Sequence, residues 1–123
     1  MREMADVLDQ DALANLLGMV GDDPEFLDEL VEAYLAATPR QLASARAAVA
    51  AGSAADVARL AHDLNGTSLN MGAVQLAEAC RALEEVARRG DLDAAKEFVD
   101  EADRAFAEVR GALAEARLVR YDG

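Results

Sequence analysis

Between Leu92 and Leu113 the apolar residues fall at Leu92, Ala95, Val99, Ala102, Phe106, Val109 and Leu113, in alternating steps of three and four. Only an α-helix returns such positions to one side of the chain, so this stretch must bury one face of a helix. A second run, Leu27, Val31, Leu35, Thr38, Leu42, Ala45 and Val49, keeps the same spacing. Composition agrees with the periodicity. There are 29 alanines, no isoleucine, and only 12 residues that are Val or Thr. Alanine favours helix and the β-branched types that strands use are scarce. An all-α domain follows, whose helices must approach closely across alanines.

Punctuation sets the helix boundaries. A short first helix is predicted over residues 9–19, with Leu13, Leu16, Leu17 and Val20 on one side. Asp23-Pro24 reads as an N-cap with proline at the first helical position, where its missing N–H does no harm. The second helix runs to Gly52. It is read as one long helix kinked at Pro39, with a break at Thr38 as the alternative. Ser53 and Asp56 resemble a capping box for the third helix, which ends near Asn70. Met71-Gly72 is a tight turn, so the fourth helix, over 73–89, should return antiparallel and bury Leu76, Ala77, Cys80, Leu83 and Ala87. Gly90 stops it and Asp91 caps the last helix. The expectation is an antiparallel four-helix bundle with an additional short N-terminal helix. One domain spans 1–123, its core about 9–118, with fraying after about Leu118.

Charge and residue counts narrow the function. The chain of 123 residues has a formal net charge of -12, which argues against nucleic acid or an anionic membrane as partner. No stretch approaches the roughly 20 apolar residues of a membrane span. Residues 1–10 lack the apolar core of a signal peptide, and a cytoplasmic protein is the simplest reading. With one Cys and one His, neither an internal disulfide nor a multi-histidine metal site can form. No Gly-rich phosphate loop of the GxxxxGK type is present.

His62 is the residue with chemistry to offer. Val57, Leu60, Ala61, Leu64, Ser68 and Met71 cluster on one side of the third helix. His62 lies about 150° from the middle of that stripe, so it should face water. Ala55, Ala58, Gly66 and Leu69 project into the same sector. Glycine inside a helix costs about 1 kcal/mol relative to alanine. One turn after a histidine it removes a side chain that would crowd the ring. A smooth, partly apolar patch around an exposed imidazole, which is partly neutral and nucleophilic at neutral pH, reads as a transient interaction site.

The run Ala61-His62-Asp63-Leu64-Asn65-Gly66-Thr67-Ser68, followed by Gly72-Ala73, Leu76, Cys80 and Leu83-Glu84, resembles the histidine-containing phosphotransfer (HPt) domain. The likeness extends upstream through Phe26-Leu27, Leu30, Tyr34-Leu35 and Pro39, and downstream to Arg89-Gly90-Asp91. It implies a phosphorelay intermediate. His62 would accept a phosphoryl group from a receiver-domain aspartate and pass it to another receiver aspartate. Such a domain is a phosphocarrier with no ATPase or kinase activity and no cofactor, the magnesium being held by the receiver. The implied partners are receiver domains of response regulators or hybrid histidine kinases, met by a monomer.

Position 65 departs from the family pattern, which places lysine three residues after the histidine. Asn65 donates a hydrogen bond but brings no charge. Arg59, one turn before His62, or Arg81 and Arg88 on the fourth helix, are candidate substitutes. Glu84 is expected either to face the third helix near His62 or to lie on a simple solvated face, and Gly66 to leave the imidazole open. Ala55, Ala58 and Leu69 are the candidate docking residues. Cys80 and Tyr34 read as packing residues. The alternative function is an HPt-like interaction module that binds or sequesters receivers without being phosphorylated. A small hydrolase or transferase with His62 as general base lacks an evident second catalytic residue.

Overall fold

A computed structural model of the chain describes residues 8–19 and 21–122, with side chains through Glu115. Val20 and the tail side chains, where fraying is expected, lie outside the described residues. The elements are α1 (Gln10–Met19), α2 (Pro24–Ala50), α3 (Ala54–Asn70), α4 (Val74–Arg88) and α5 (Leu92–Asp122). No strand occurs among the described residues. The fold is therefore the all-α bundle that the three-and-four spacing demands.

Three of the five described helix starts, those of α1, α2 and α5, are capped by an aspartate side chain. Asp9 Oδ1 accepts from the amides of Asp11 (3.0 Å) and Ala12 (3.3 Å). Asp23 Oδ1 accepts from Glu25 (3.0 Å) and Phe26 (3.3 Å), with Pro24 next to it. Asp91 Oδ1 accepts from the Ala94 amide at 3.0 Å. These contacts satisfy amides that have no partner inside the helix. Ser53 differs from the sequence expectation. Its hydroxyl donates to Asp56 Oδ2 at 2.9 Å and bonds no backbone amide, so the capping box does not form. With aspartate in place of glutamate, the two side chains meet each other instead of reaching the backbone. α2 passes through Pro39 as one helix. The phase of its buried residues is unbroken there, and the Thr38 hydroxyl donates to the Tyr34 carbonyl at 2.7 Å.

α3 packs on α4, α4 on α5, and α2 on both α3 and α5, closing a four-helix ring. α1 lies across one end, against α2 and α3. Beneath it is the larger apolar cluster, built on Leu8, Leu27, Val31, Leu64, Leu76, Phe106 and Val109. The opposite half is filled by smaller side chains: Ala45, Ala48, Val57, Ala61, Ala87, Ala95 and Val99, with Leu83 and Val86. Alanines let these helices approach closely, as the composition requires. Arg46 of α2 adds a surface tie to α5, pairing with Asp100 at 2.9 Å and with Asp103. Both carboxylates raise the Arg46 pKa.

The core contains one cross-helix polar contact of note. Tyr34 Oη of α2 and Ser68 Oγ of α3 lie 2.8 Å apart and buried, and the Tyr34 ring meets Phe106 edge-on at 6.3 Å. Burial pushes the Tyr34 hydroxyl up to about 12, and the Cys80 thiol up to about 12 as well. Both groups thus stay neutral further into the alkaline range than they do in the unfolded chain. A pKa raised on folding gives stability that is present below the unfolded value and lost as pH rises through the folded one. We expect unfolding free energy to fall as pH rises above about 9, where the unfolded thiol and then the unfolded phenol ionise, toward 12, and the Tyr34→Phe variant to fall less steeply. Urea titrations across that range check this; parallel slopes in the two proteins would contradict it.

A second constraint lies between the N-terminal segment and the turn joining α3 to α4. The Asp9 amide donates to the Gly72 carbonyl at 2.7 Å. Gly72 has φ +75°, and a Cβ there would sit 2.7 Å from the Asp9 carbonyl oxygen. Leu8, just before, is 1% exposed. Gly52 has φ +75° with open space around it. Gly52→Ala should therefore lose only the left-handed penalty of about 1–2 kcal/mol. Gly72→Ala should lose more, because the clash also displaces the segment carrying Leu8. Denaturant midpoints of the two variants measure the difference.

Candidate functional site

His62 lies in the middle of α3, between the buried Ala61 and Leu64, and its side chain is 67% exposed. The helical register thus turns the imidazole outward, as the apolar stripe predicts. Its partner comes from the antiparallel neighbour. His62 Nδ1 lies 3.2 Å from Glu84 Oε1 on α4. Of the two placements the sequence leaves open, Glu84 takes the one facing α3, and its side chain is only 15% exposed. The other oxygen, Oε2, pairs with Arg88 Nη2 one turn further along α4. Imidazole, carboxylate and guanidinium form a continuous chain across the α3–α4 face.

A carboxylate can only accept, so Nδ1 donates its proton to Glu84. In the neutral ring Nε2 then keeps its lone pair. Nε2 makes no hydrogen bond to the described residues. The contact orients the ring and, with Glu84 as a carboxylate, selects the tautomer protonated at Nδ1, leaving Nε2 with its lone pair. Among the described residues no group of three or more His, Cys, Asp or Glu is gathered to hold a metal ion.

The other site candidates separate into those that join this chain and those that do not. Asn65 does not turn toward the imidazole. Its Nδ2 donates to the Ala77 carbonyl of α4 at 2.8 Å, in a half-buried position. Position 65 is thus a cross-helix bond rather than a free polar group beside His62. Arg59 pairs with Asp56 at 3.3 Å on its own helix. Arg81 pairs with Glu85 at 3.8 Å. Of the three arginines considered from the sequence, Arg88 alone is tied to the partner of His62. Gly66 is exposed, and a Cβ built there meets nothing within 4 Å.

Around the ring, Ala55 is exposed and Leu69 is 52% exposed, while Ala58 is half-buried against the smaller apolar cluster. Two further exposed apolar side chains lie at the Leu69 end of the bundle: Phe26, 48% exposed at the start of α2, and Val74, 37% exposed at the start of α4. Antiparallel connections bring those helix starts to the end of α3. Sequence reasoning did not single them out as surface, although the first-turn position of each was a usable signal. No described helix is long and apolar enough to cross a membrane.

Truncating Asn65 tests its structural role. Asn65→Ala should lower stability by about 0.5–1.5 kcal/mol, the usual net worth of such a bond. Exchange of the backbone amides along the facing turns of α3 and α4 should quicken. An unchanged denaturation midpoint would show that the Ala77 bond contributes nothing.

Comparison with known proteins places these features in context. A family model described as the Hpt domain matches residues 29–117. The chain is similar to the crystal structure of histidine-containing phosphotransfer protein B (HptB) from Pseudomonas aeruginosa PAO1. The TM-score is 0.85 at 37% sequence identity, over 93% of this chain and 96% of that one. Comparison with curated protein sequences gave no match.

Proposed function

The chain belongs to the Hpt domain family, and on that premise we propose that His62 is its phosphoacceptor, taking a phosphoryl group from one receiver aspartate and delivering it to another. The family's role is histidine phosphotransfer in two-component phosphorelays, carried out by phosphocarriers rather than kinases. The single observation that carries the assignment to His62 is its exposed ring, held through Nδ1 by Glu84 with Nε2 free.

The chemistry follows from that geometry. The Nε2 lone pair attacks the phosphorus of an aspartyl phosphate. The Nε2–P bond forms as the P–O bond breaks, and the electron pair leaves on the aspartate carboxylate. The ring gains positive charge, which the Nδ1–H contact to Glu84 stabilises. Transfer onward reverses these bonds on a second aspartate. The receiver supplies the magnesium ion and its own charged groups, so this chain need only present the ring in one orientation. Ala55, Gly66 and Leu69 form the proposed docking surface, with Ala58 at its half-buried edge.

The test is incubation with phosphorylated receiver domains. The parent protein should acquire an acid-labile, alkali-stable label. His62→Gln should lose it entirely with unchanged helical content, because an exposed side chain contributes little to stability. Gly66→Leu should slow transfer roughly tenfold while remaining folded, since a clash of 1–2 kcal/mol at a docking surface has that effect. Tight receiver binding by the parent without label would instead support a sequestering module. A labelled His62→Gln protein would overturn the assignment.

A further inference from the structure

Phosphorylation adds negative charge to a place that is already acidic. Glu84 touches the ring, Asp63 follows it in sequence, and the whole chain carries a formal net charge of -12. An uncompensated phosphoryl group there would meet repulsion from the carboxylate that holds the imidazole. The cations near His62 are therefore the decisive inventory. Arg59 is paired with Asp56, and Arg81 with Glu85. Asn65 is neutral and bonded to the Ala77 carbonyl. Arg88 is bound to the same carboxylate that receives the His62 proton, and its side chain is 66% exposed.

We propose that Glu84 positions Arg88, and that Arg88 supplies the positive charge which stabilises a phosphoryl group on His62. The inference rests on His62 being the phosphoacceptor and names the group that sets how well it holds its phosphate. Glu84 then has two functions from its two oxygens. Oε1 orients the ring, and Oε2 holds the guanidinium of Arg88 on the carboxylate that also contacts His62. Arg88 is well suited to this because a guanidinium offers several donors and a planar face of charge. Its exposure leaves it free to follow the phosphoryl group once the ring is modified. The contribution is electrostatic and near the surface, so salt must weaken it.

A charge-and-rescue series measures this. The parent, Arg88→Met, Arg88→Lys, Glu84→Gln and the double variant Glu84→Gln/Arg88→Met are each equilibrated with a phosphorylated receiver domain at low and high salt. Arg88→Met should lower the ratio of phosphorylated to free protein about three- to tenfold at low salt, and by less than half that factor at high salt. Arg88→Lys should restore most of the loss, which a role in shape or packing would not produce. In the Glu84→Gln background, the further loss on removing Arg88 should be under twofold, because the carboxylate that holds the guanidinium is gone. Equal ratios in parent and Arg88→Met at both salts would overturn the proposal, as would failure of lysine to rescue. An equal Arg88→Met loss in both backgrounds would overturn the positioning by Glu84. Absence of label on the parent would instead remove the phosphoacceptor reading itself.

Discussion

The register of α3 against α4 is the constraint on which the site depends. Both contacts across that hairpin, His62 with Glu84 and Asn65 with the Ala77 carbonyl, straddle the turn at Gly72. A helical hairpin has little freedom once its turn is fixed. The turn here is fixed from outside, by the Asp9 amide on the Gly72 carbonyl and by an approach too close for any Cβ at position 72. Slipping α4 by one residue would rotate Glu84 by about 100° away from the imidazole. The N-terminal segment, remote from His62 in sequence, thus helps determine which side chain faces the ring.

Packing explains why the register does not drift along the helices. Ala61 and Ala77 are essentially inaccessible, as are Cys80 and Leu83. Small side chains on facing helices admit close approach, and a close-packed interior has few alternative arrangements of equal energy. The buried Tyr34–Ser68 contact adds a directional requirement between α2 and α3. Losing either partner leaves a hydroxyl in an apolar interior without its bond, at a cost of about 1–3 kcal/mol. Apolar burial brings these helices together, and the polar contacts select one alignment among those that bury similar area.

Much of this was legible in the sequence because it depends on local periodicity. The steps of three and four in Leu92–Leu113 define α5, and Asp23-Pro24 and Asp91 mark true helix starts. The outward direction of His62 follows from the stripe opposite it. What the sequence left open depends on choices among long or multivalent side chains. Arg59, Arg81 and Arg88 are equivalent by spacing and each pairs with an acidic neighbour on its own helix, but only the partner of Arg88, Glu84, also touches His62. Asn65 has a donor that either the imidazole side or the α4 backbone can use, and only the interhelical distance decides for Ala77. The Gly72–Asp9 contact joins segments far apart in the chain, so no local pattern announces it. Leu8, placed outside the expected core, is buried in the larger apolar cluster.

The placement of His62 within a helix, rather than on a loop, also has a physical consequence. A loop nucleophile must be ordered each time it reacts, and fixing a residue's backbone costs roughly 1–2 kcal/mol. Mid-helix, that ordering is already part of the fold, and Glu84 orders the remaining ring torsions. The accompanying burden is steric, since a helix surrounds its central residues with other side chains. Gly66 relieves it by leaving open space one turn from the ring, although glycine is unfavourable there by about 1 kcal/mol. Openness by itself does not distinguish this glycine, because Gly111 of α5 also meets nothing. The difference is location. Gly66 stands one turn after the exposed His62 on α3, where a longer side chain would add bulk to the surface proposed for docking, whereas Gly111 lies on α5.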